Sequence, residues 1–244
     1  MDWLSEPGTW ASFLTLSALE IVLGIDNVIF ISLVASRLPK AQQFVARAVG
    51  LAGALVLRVA FLASVNWLAH ATVPLFVFQG VEVSTRDAIL FAGGAFLLYK
   101  ATVEIHAMVE GLNEGERKVG KVTLLGAITQ IMILDIVFSI DSVLTAIGMT
   151  HGQPHALPIM IAAIFVAIVL MLVAAGVLGR FIEEHPTTKM LALAFLLLVG
   201  VALIADAFDF HIPRGYLYAA IAFSASVEAL NIWVTRGPKR KAEE

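Results

Sequence analysis

Cysteine is absent from the 244 residues, which excludes disulfides, thiolate metal sites and cysteine nucleophiles. Charge is scarce too. Only 14% of residues are charged and 59% are hydrophobic, where a soluble domain carries about a quarter charged. None of the six histidines (His70, His106, His151, His155, His185 and His211) lies in the middle of an apolar block, so imidazole is not expected in a mid-membrane ligand set. HExxH, GxSxG and phosphate-loop patterns are missing. The acidic pairs also lack the Gly-x-Gly-Asp context of intramembrane aspartyl proteases. The chain is therefore expected not to be an enzyme and to hold no resident cofactor. The beginning, Met1-Asp2-Trp3-Leu4-Ser5-Glu6, is acidic, whereas a secretory signal starts basic, so the first apolar block reads as a retained helix. A formal charge of −3, without a basic patch beyond the helix flanks, gives no sign of a nucleic-acid partner.

What is present is a succession of long apolar blocks, with a mean hydropathy of +0.90. Seven of them approach or exceed the roughly 20 residues that cross a hydrocarbon core: 10–36, 44–70, 87–108, 121–148, 156–180, 188–206 and 214–235. The expected fold is an all-α polytopic membrane domain of seven transmembrane helices covering 1–244. Arg37, Lys40, Arg47, Arg117, Lys118, Lys121, Arg180, Lys189, Arg236, Lys239, Arg240 and Lys241 fall on one side. The other side has Arg86 and Arg214. The positive-inside rule then puts the N-terminus outside and the C-terminus in the cytoplasm of a bacterial inner-membrane protein. Residues 71–86 are too apolar for an ordinary loop and are expected at the outer interface or dipping into the bilayer. The linker 109–120 is the solvated one.

The sequence repeats itself. Leu19-Glu20-Ile21-Val22-Leu23-Gly24-Ile25-Asp26-Asn27-Val28 aligns with Leu134-Asp135-Ile136-Val137-Phe138-Ser139-Ile140-Asp141-Ser142-Val143. Each copy would head a three-span unit, 10–108 and 121–206, with 214–235 as a seventh helix. Three spans is an odd number, so the second unit is expected upside down, and inverted repeats place transporter sites at their interface near mid-membrane.

Glu20 and Asp26 in span one, Asp135 and Asp141 in span four, and Glu228 in span seven all fall inside apolar spans. At about 2.5–3.5 kcal/mol each, five unpaired carboxylates would cost roughly 12–17 kcal/mol. Arg58 in span two is the one clear mid-membrane cation and reads as their counter-ion. Lys100 and Glu104, spaced i, i+4, are expected to pair with each other. One arginine leaves charge that protons or a bound cation must balance. Glu20 and Asn27 project the same way on an ideal helix, and Asp26 lies about 120° away. A break near Gly24, or near Ser139 in the repeat, would let them converge. Ser224, Glu228 and Asn231 share one face of span seven. Oxygen-only ligands suit manganese, magnesium or calcium rather than copper or zinc. Glu20 or Asp135 mainly bonding Arg58 is the structural alternative. Ala46, Gly50 and Ala54 recur at spacing four and are expected to let helices pack closely.

The doubled motif, with Val227-Glu228-Ala229-Leu230-Asn231, resembles the paired and C-terminal motifs of the TerC family of bacterial integral membrane proteins, in its short form without cytoplasmic appendages. The resemblance implies seven helices of the lysine-exporter superfamily type and export of divalent cations, chiefly Mn2+. Carried over by position, it implies a central site of Asp26, Asn27, Asp141 and Ser142. Glu20, Asp135, Glu228 and Asn231 would be supporting ligands or proton carriers. The expected activity is secondary export of Mn2+ from the cytoplasm in exchange for protons. The alternative is a non-transporting membrane scaffold in metal or tellurite stress response; export of a basic amino acid follows only from fold analogy. Expected partners are the cation and the lipid bilayer, with self-association open and no nucleic acid.

Overall fold

The computed structural model describes residues 7–64, 74–78, 81–111, 123–150 and 155–235, with the backbone only at 7, 74–78, 81, 82, 141, 144, 148, 149 and 235. Eight helices appear among them: α1 Pro7–Leu23, α2 Ile25–Ser36, α3 Lys40–Ala63, α4 Thr85–Val109, α5 Leu124–Thr150, α6 Ala156–Glu184, α7 Pro186–Ala207 and α8 Arg214–Thr235. By length and composition α3, α4, α6, α7 and α8 are each able to cross a membrane. The bent pair α1 and α2 makes a sixth candidate. α5 is 27 residues long and largely apolar. The architecture is that of an all-α polytopic membrane protein, with five to six candidate spans among the described residues.

Local chemistry sets several boundaries. Ser84 caps α4 by accepting from the Asp87 backbone N–H, and the Asp87 side chain accepts from the Ser84 backbone N–H in return. Pro186 opens α7 where a missing N–H costs nothing. Part of the apolar stretch 71–86 forms an antiparallel hairpin, β1 Pro74–Phe78 with β2 Val81–Ser84, pairing Phe76 with Val83 and Val77 with Glu82. The helix-only reading missed it, although short β-branched and aromatic runs around Gln79-Gly80 favour such a ribbon. Arg117, Lys118 and Lys121 of the linker, and Arg236, Lys239, Arg240 and Lys241 of the tail, lie outside the described residues.

The surface is apolar as lipid-facing helices require: Leu14, Val173, Phe223 and Trp233 are all strongly exposed. Inside, helices approach through small residues. Ala46, Gly50 and Ala54 are buried along α3 as expected, with Gly50 against Ile131 of α5. The tightest approach is α4 on α7, where a Cβ on Gly94 would stand 2.7 Å from the Gly200 carbonyl oxygen. Backbone cannot swing aside as a side-chain tip does. Gly94→Ala is therefore expected to cost about 1–3 kcal/mol, read as a fall in apparent Tm of the purified protein; an unchanged Tm would mean the two helices are not this close.

Candidate cation site

One repeated pair of acids, Glu20 and Asp135, meets in the interior around Arg58. From α3 the Arg58 guanidinium forks onto Asp135 of α5, Nε donating to Oδ2 at 2.7 Å and Nη2 to Oδ1 at 2.8 Å. Its Nη1 donates to Glu20 Oε2 of α1 at 2.6 Å. Asn27 of α2 closes the cluster, Nδ2 donating to Asp135 Oδ1 at 3.2 Å. All four residues are 2–3% exposed. The shared direction of Glu20 and Asn27 is thus used: both reach the same cluster. Two-point recognition of a carboxylate is what a guanidinium does and an ammonium does not.

The helix that carries Glu20, Asp26 and Asn27 is interrupted at Gly24. α1 ends at Leu23, α2 begins at Ile25, and the two are bent by 46°. The Gly24 N–H turns back to Ile21 O at 3.2 Å, a tightened turn. A Cβ on Gly24 would overlap Met171 Cε of α6 and stand 2.9 Å from Glu20 O. Met171 thus fills the concave side of the break. The matching break at Ser139 is corrected: α5 runs unbroken from Leu124 to Thr150. Ser139 returns its hydroxyl to Ile136 O at 3.0 Å and Ser142 its own to Ser139 O at 3.2 Å, both compatible with a continuous helix. Gly24→Ala and Met171→Ala should each destabilise, and the double variant should lose less than their sum by about 1 kcal/mol or more, since one alanine makes the room the other needs. Additive losses would separate Met171 from the break.

Asp26 projects elsewhere. It is 4% exposed, and Arg214 and Tyr218 at the start of α8 lie within its electrostatic reach. Of the three buried carboxylates Glu20, Asp26 and Asp135, two pair with the buried Arg58 guanidinium and Asp26 does not. Oxygens are also left over: Ser17 Oγ, Glu20 Oε1, Asp26 Oδ1 and Asn27 Oδ1 are buried without a hydrogen-bond partner. Each such group costs about 1–3 kcal/mol. They are hard donors, on both sides of the helix break. Ser17 was not singled out from the sequence, although it sits three residues before Glu20 on the same helix face. Ser142 is buried on α5 beside Asp141, whose side chain lies outside the described residues.

Two groups of acids lie away from this cluster. Glu228 is half-buried and accepts from Thr187 Oγ1 and Thr188 Oγ1 at the start of α7, while Asn231 Nδ2 donates to its other oxygen at 3.4 Å. Glu228 and Asn231 thus tie α8 to α7 and do not touch Arg58. Glu104 is corrected as well. It pairs with Arg37 at 2.9 Å, while Lys100 lies over the Phe96 ring at 5.7 Å. Among the described residues no group of three or more Asp, Glu, His or Cys is close enough to hold a metal ion in this arrangement. Arg58 occupies the place between the acids.

Comparison with known proteins identifies the family. The family model described as "Integral membrane protein TerC family" matches residues 5–243. The chain is 52% identical to the UPF0053 inner membrane protein YgdQ of Escherichia coli K12 over 94% of this chain and 95% of that protein. It is 48% identical to a UPF0053 protein of Haemophilus influenzae over 96% and 98%. It is 47% identical to UPF0053 protein YegH of Escherichia coli K12 over 95% of this chain but 43% of that longer one. No solved structure matches. The chain belongs to the TerC family of integral membrane proteins, and it is a multi-pass protein of the bacterial inner membrane.

Proposed function

We propose that this TerC-family chain is a secondary transporter that exports divalent cations, Mn2+ foremost, from the cytoplasm in exchange for protons. The observation that carries this reading is the surplus of buried carboxylates over cations, together with the unpartnered oxygens of Ser17, Glu20, Asp26 and Asn27. A folded protein that needed only an ion pair would stop at Arg58 and one acid. On this reading α1 with α2 is one span and α5 another, giving seven spans as two inverted three-helix units plus α8, with the N-terminus outside and the C-terminus in the cytoplasm. The packing supports it. α4 packs chiefly on α7, α3 on α5, and α1 and α2 on α6. Exchanging the two units maps this pattern onto itself.

In the ion-free state Arg58 stands in for the cargo, pairing with both Glu20 and Asp135 and offsetting one of their two charges. A divalent ion entering from the cytoplasm is held by Asp26, Asn27, Asp141 and Ser142, with Glu20 and Asp135 released to it or to protons. Protonation of the acids on the outer side lowers their charge and frees the ion. Only oxygen donors are offered, which favours Mn2+ over zinc or copper. Glu228 and Asn231 support the site at a distance, by holding α8 on α7. The test is Mn2+ flux into liposomes holding wild type, Asp26→Asn or Asp141→Asn. The expected result is saturable flux in wild type, accelerated by an opposing proton gradient and lost in both variants. Folded wild type without flux under either condition would overturn the transporter reading and leave the scaffold.

A further inference from the structure

A second cavity, of about 800 Å³, lies outside the central site, between the first half of α3 and the last half of α6. Its wall is mixed, with three cations, Lys40, Arg47 and Arg180, and two acids, Glu183 and Glu184. Gln43 engages one of those acids, Nε2 donating to Glu183 Oε1 at 2.7 Å. Arg47 Nε is buried without a hydrogen-bond partner, and its Nη1 reaches α6 at Gly179, where a Cβ would stand 3.5 Å from it. The rest of the wall is apolar, with Phe44 on α3 and Leu172, Val173 and Val177 on α6. Between them Gly176 opens onto empty space, with nothing within 4 Å of where its Cβ would be.

A groove on a membrane-facing wall that combines a net positive charge with hydrocarbon side chains suits an anionic amphiphile. Basic pockets between transmembrane helices recognise acidic headgroups, and lysine and arginine at helix ends draw anionic lipid. An ordinary lipid-facing surface is apolar but has no reason to strand a buried Arg47 Nε. We propose that this groove is a binding site for one anionic phospholipid, with its phosphate between Lys40, Arg47 and Arg180 and an acyl chain lying over Gly176 between Phe44 and Val177. The lipid adds a clamp between α3, which carries Arg58, and α6, which carries Met171. The site does not depend on the transport reading.

The test uses the full-length protein in a neutral detergent, titrated with phosphatidylglycerol, phosphatidylcholine or inorganic phosphate, and followed by native mass spectrometry and apparent Tm. Two variants separate headgroup from tail: Arg47→Gln removes a cation, and Gly176→Leu fills the open space without touching charge. The expected result is one tightly retained phosphatidylglycerol that raises Tm, about tenfold weaker retention in each variant, and no effect of phosphatidylcholine. Equal stabilisation by phosphatidylcholine would overturn the headgroup assignment. Stabilisation by phosphate alone, or undiminished retention in Gly176→Leu, would overturn the acyl-chain groove. Should Arg47→Gln fail to fold, Lys40→Gln at the exposed mouth carries the same expectation.

Discussion

Arg58→Ala should be the most damaging single substitution in this chain, costing about 3–5 kcal/mol and lowering the apparent Tm by roughly 6–20 °C. The magnitude follows from what the alanine leaves behind. Arg58 is 2% exposed and supplies three hydrogen bonds, two to Asp135 and one to Glu20. Without it two buried carboxylates face each other with no cation, and Asn27 alone still donates to Asp135. Breaking a buried pair is costly because an uncompensated charge remains, not because the pair itself is strong. Two controls follow from that distinction. Arg58→Lys keeps the charge but loses the fork, so it should fall between wild type and alanine. Arg58→Met combined with Glu20→Gln and Asp135→Asn removes all three charges and should recover most of the Tm. If the triple variant were no better than Arg58→Ala, the loss would be one of packing and not of charge.

Asp26→Asn should behave in the opposite way, abolishing ion handling while leaving the ion-free protein at least as stable as wild type. Asp26 is 4% exposed, and its Oδ1 has no hydrogen-bond partner. The charge it carries is a burden in the absence of an ion. Asparagine keeps the size and one oxygen but sheds that charge. The expected result is an apparent Tm equal to or above that of wild type without divalent ion, with Mn2+ affinity lower by at least about 100-fold, some 2.7 kcal/mol. Stability relieved at the expense of activity is the usual mark of a functional residue. A fall in Tm would instead make Asp26 a structural partner, with Arg214 as its nearest cation.

The central cluster was legible because the repeat displays its acids twice, and because carboxylates in apolar spans demand compensation from something scarce. Arg58 was the scarce thing, and it bonds both Glu20 and Asp135. The break at Gly24 was legible from the glycine. Its absence at Ser139 was not, because a serine hydroxyl can be satisfied inside a helix, as it is by Ile136 O. Partners brought together by tertiary packing were harder. Helical spacing offered Lys100 to Glu104, but the turn after α2 delivers Arg37 to it instead. Spacing likewise placed Glu228 and Asn231 on one face of α8 but gave no means of telling which neighbour that face meets. It meets Thr187 and Thr188, residues without any distinguishing mark in the sequence. The hairpin after α3 went unread because Pro74-Leu75-Phe76-Val77-Phe78 is uniformly apolar and read as a stretch at the outer interface, with no alternation to mark a strand.

Equilibrium binding of Mn2+ to the purified protein, measured by calorimetry on wild type and Asp26→Asn side by side, bears most directly on the claim that the surplus acids exist to hold a cation. The account predicts saturable binding of about one ion per chain to wild type and none to the variant, with the variant's apparent Tm intact. Equal binding to both would place the ion elsewhere and leave the buried acids as structure alone.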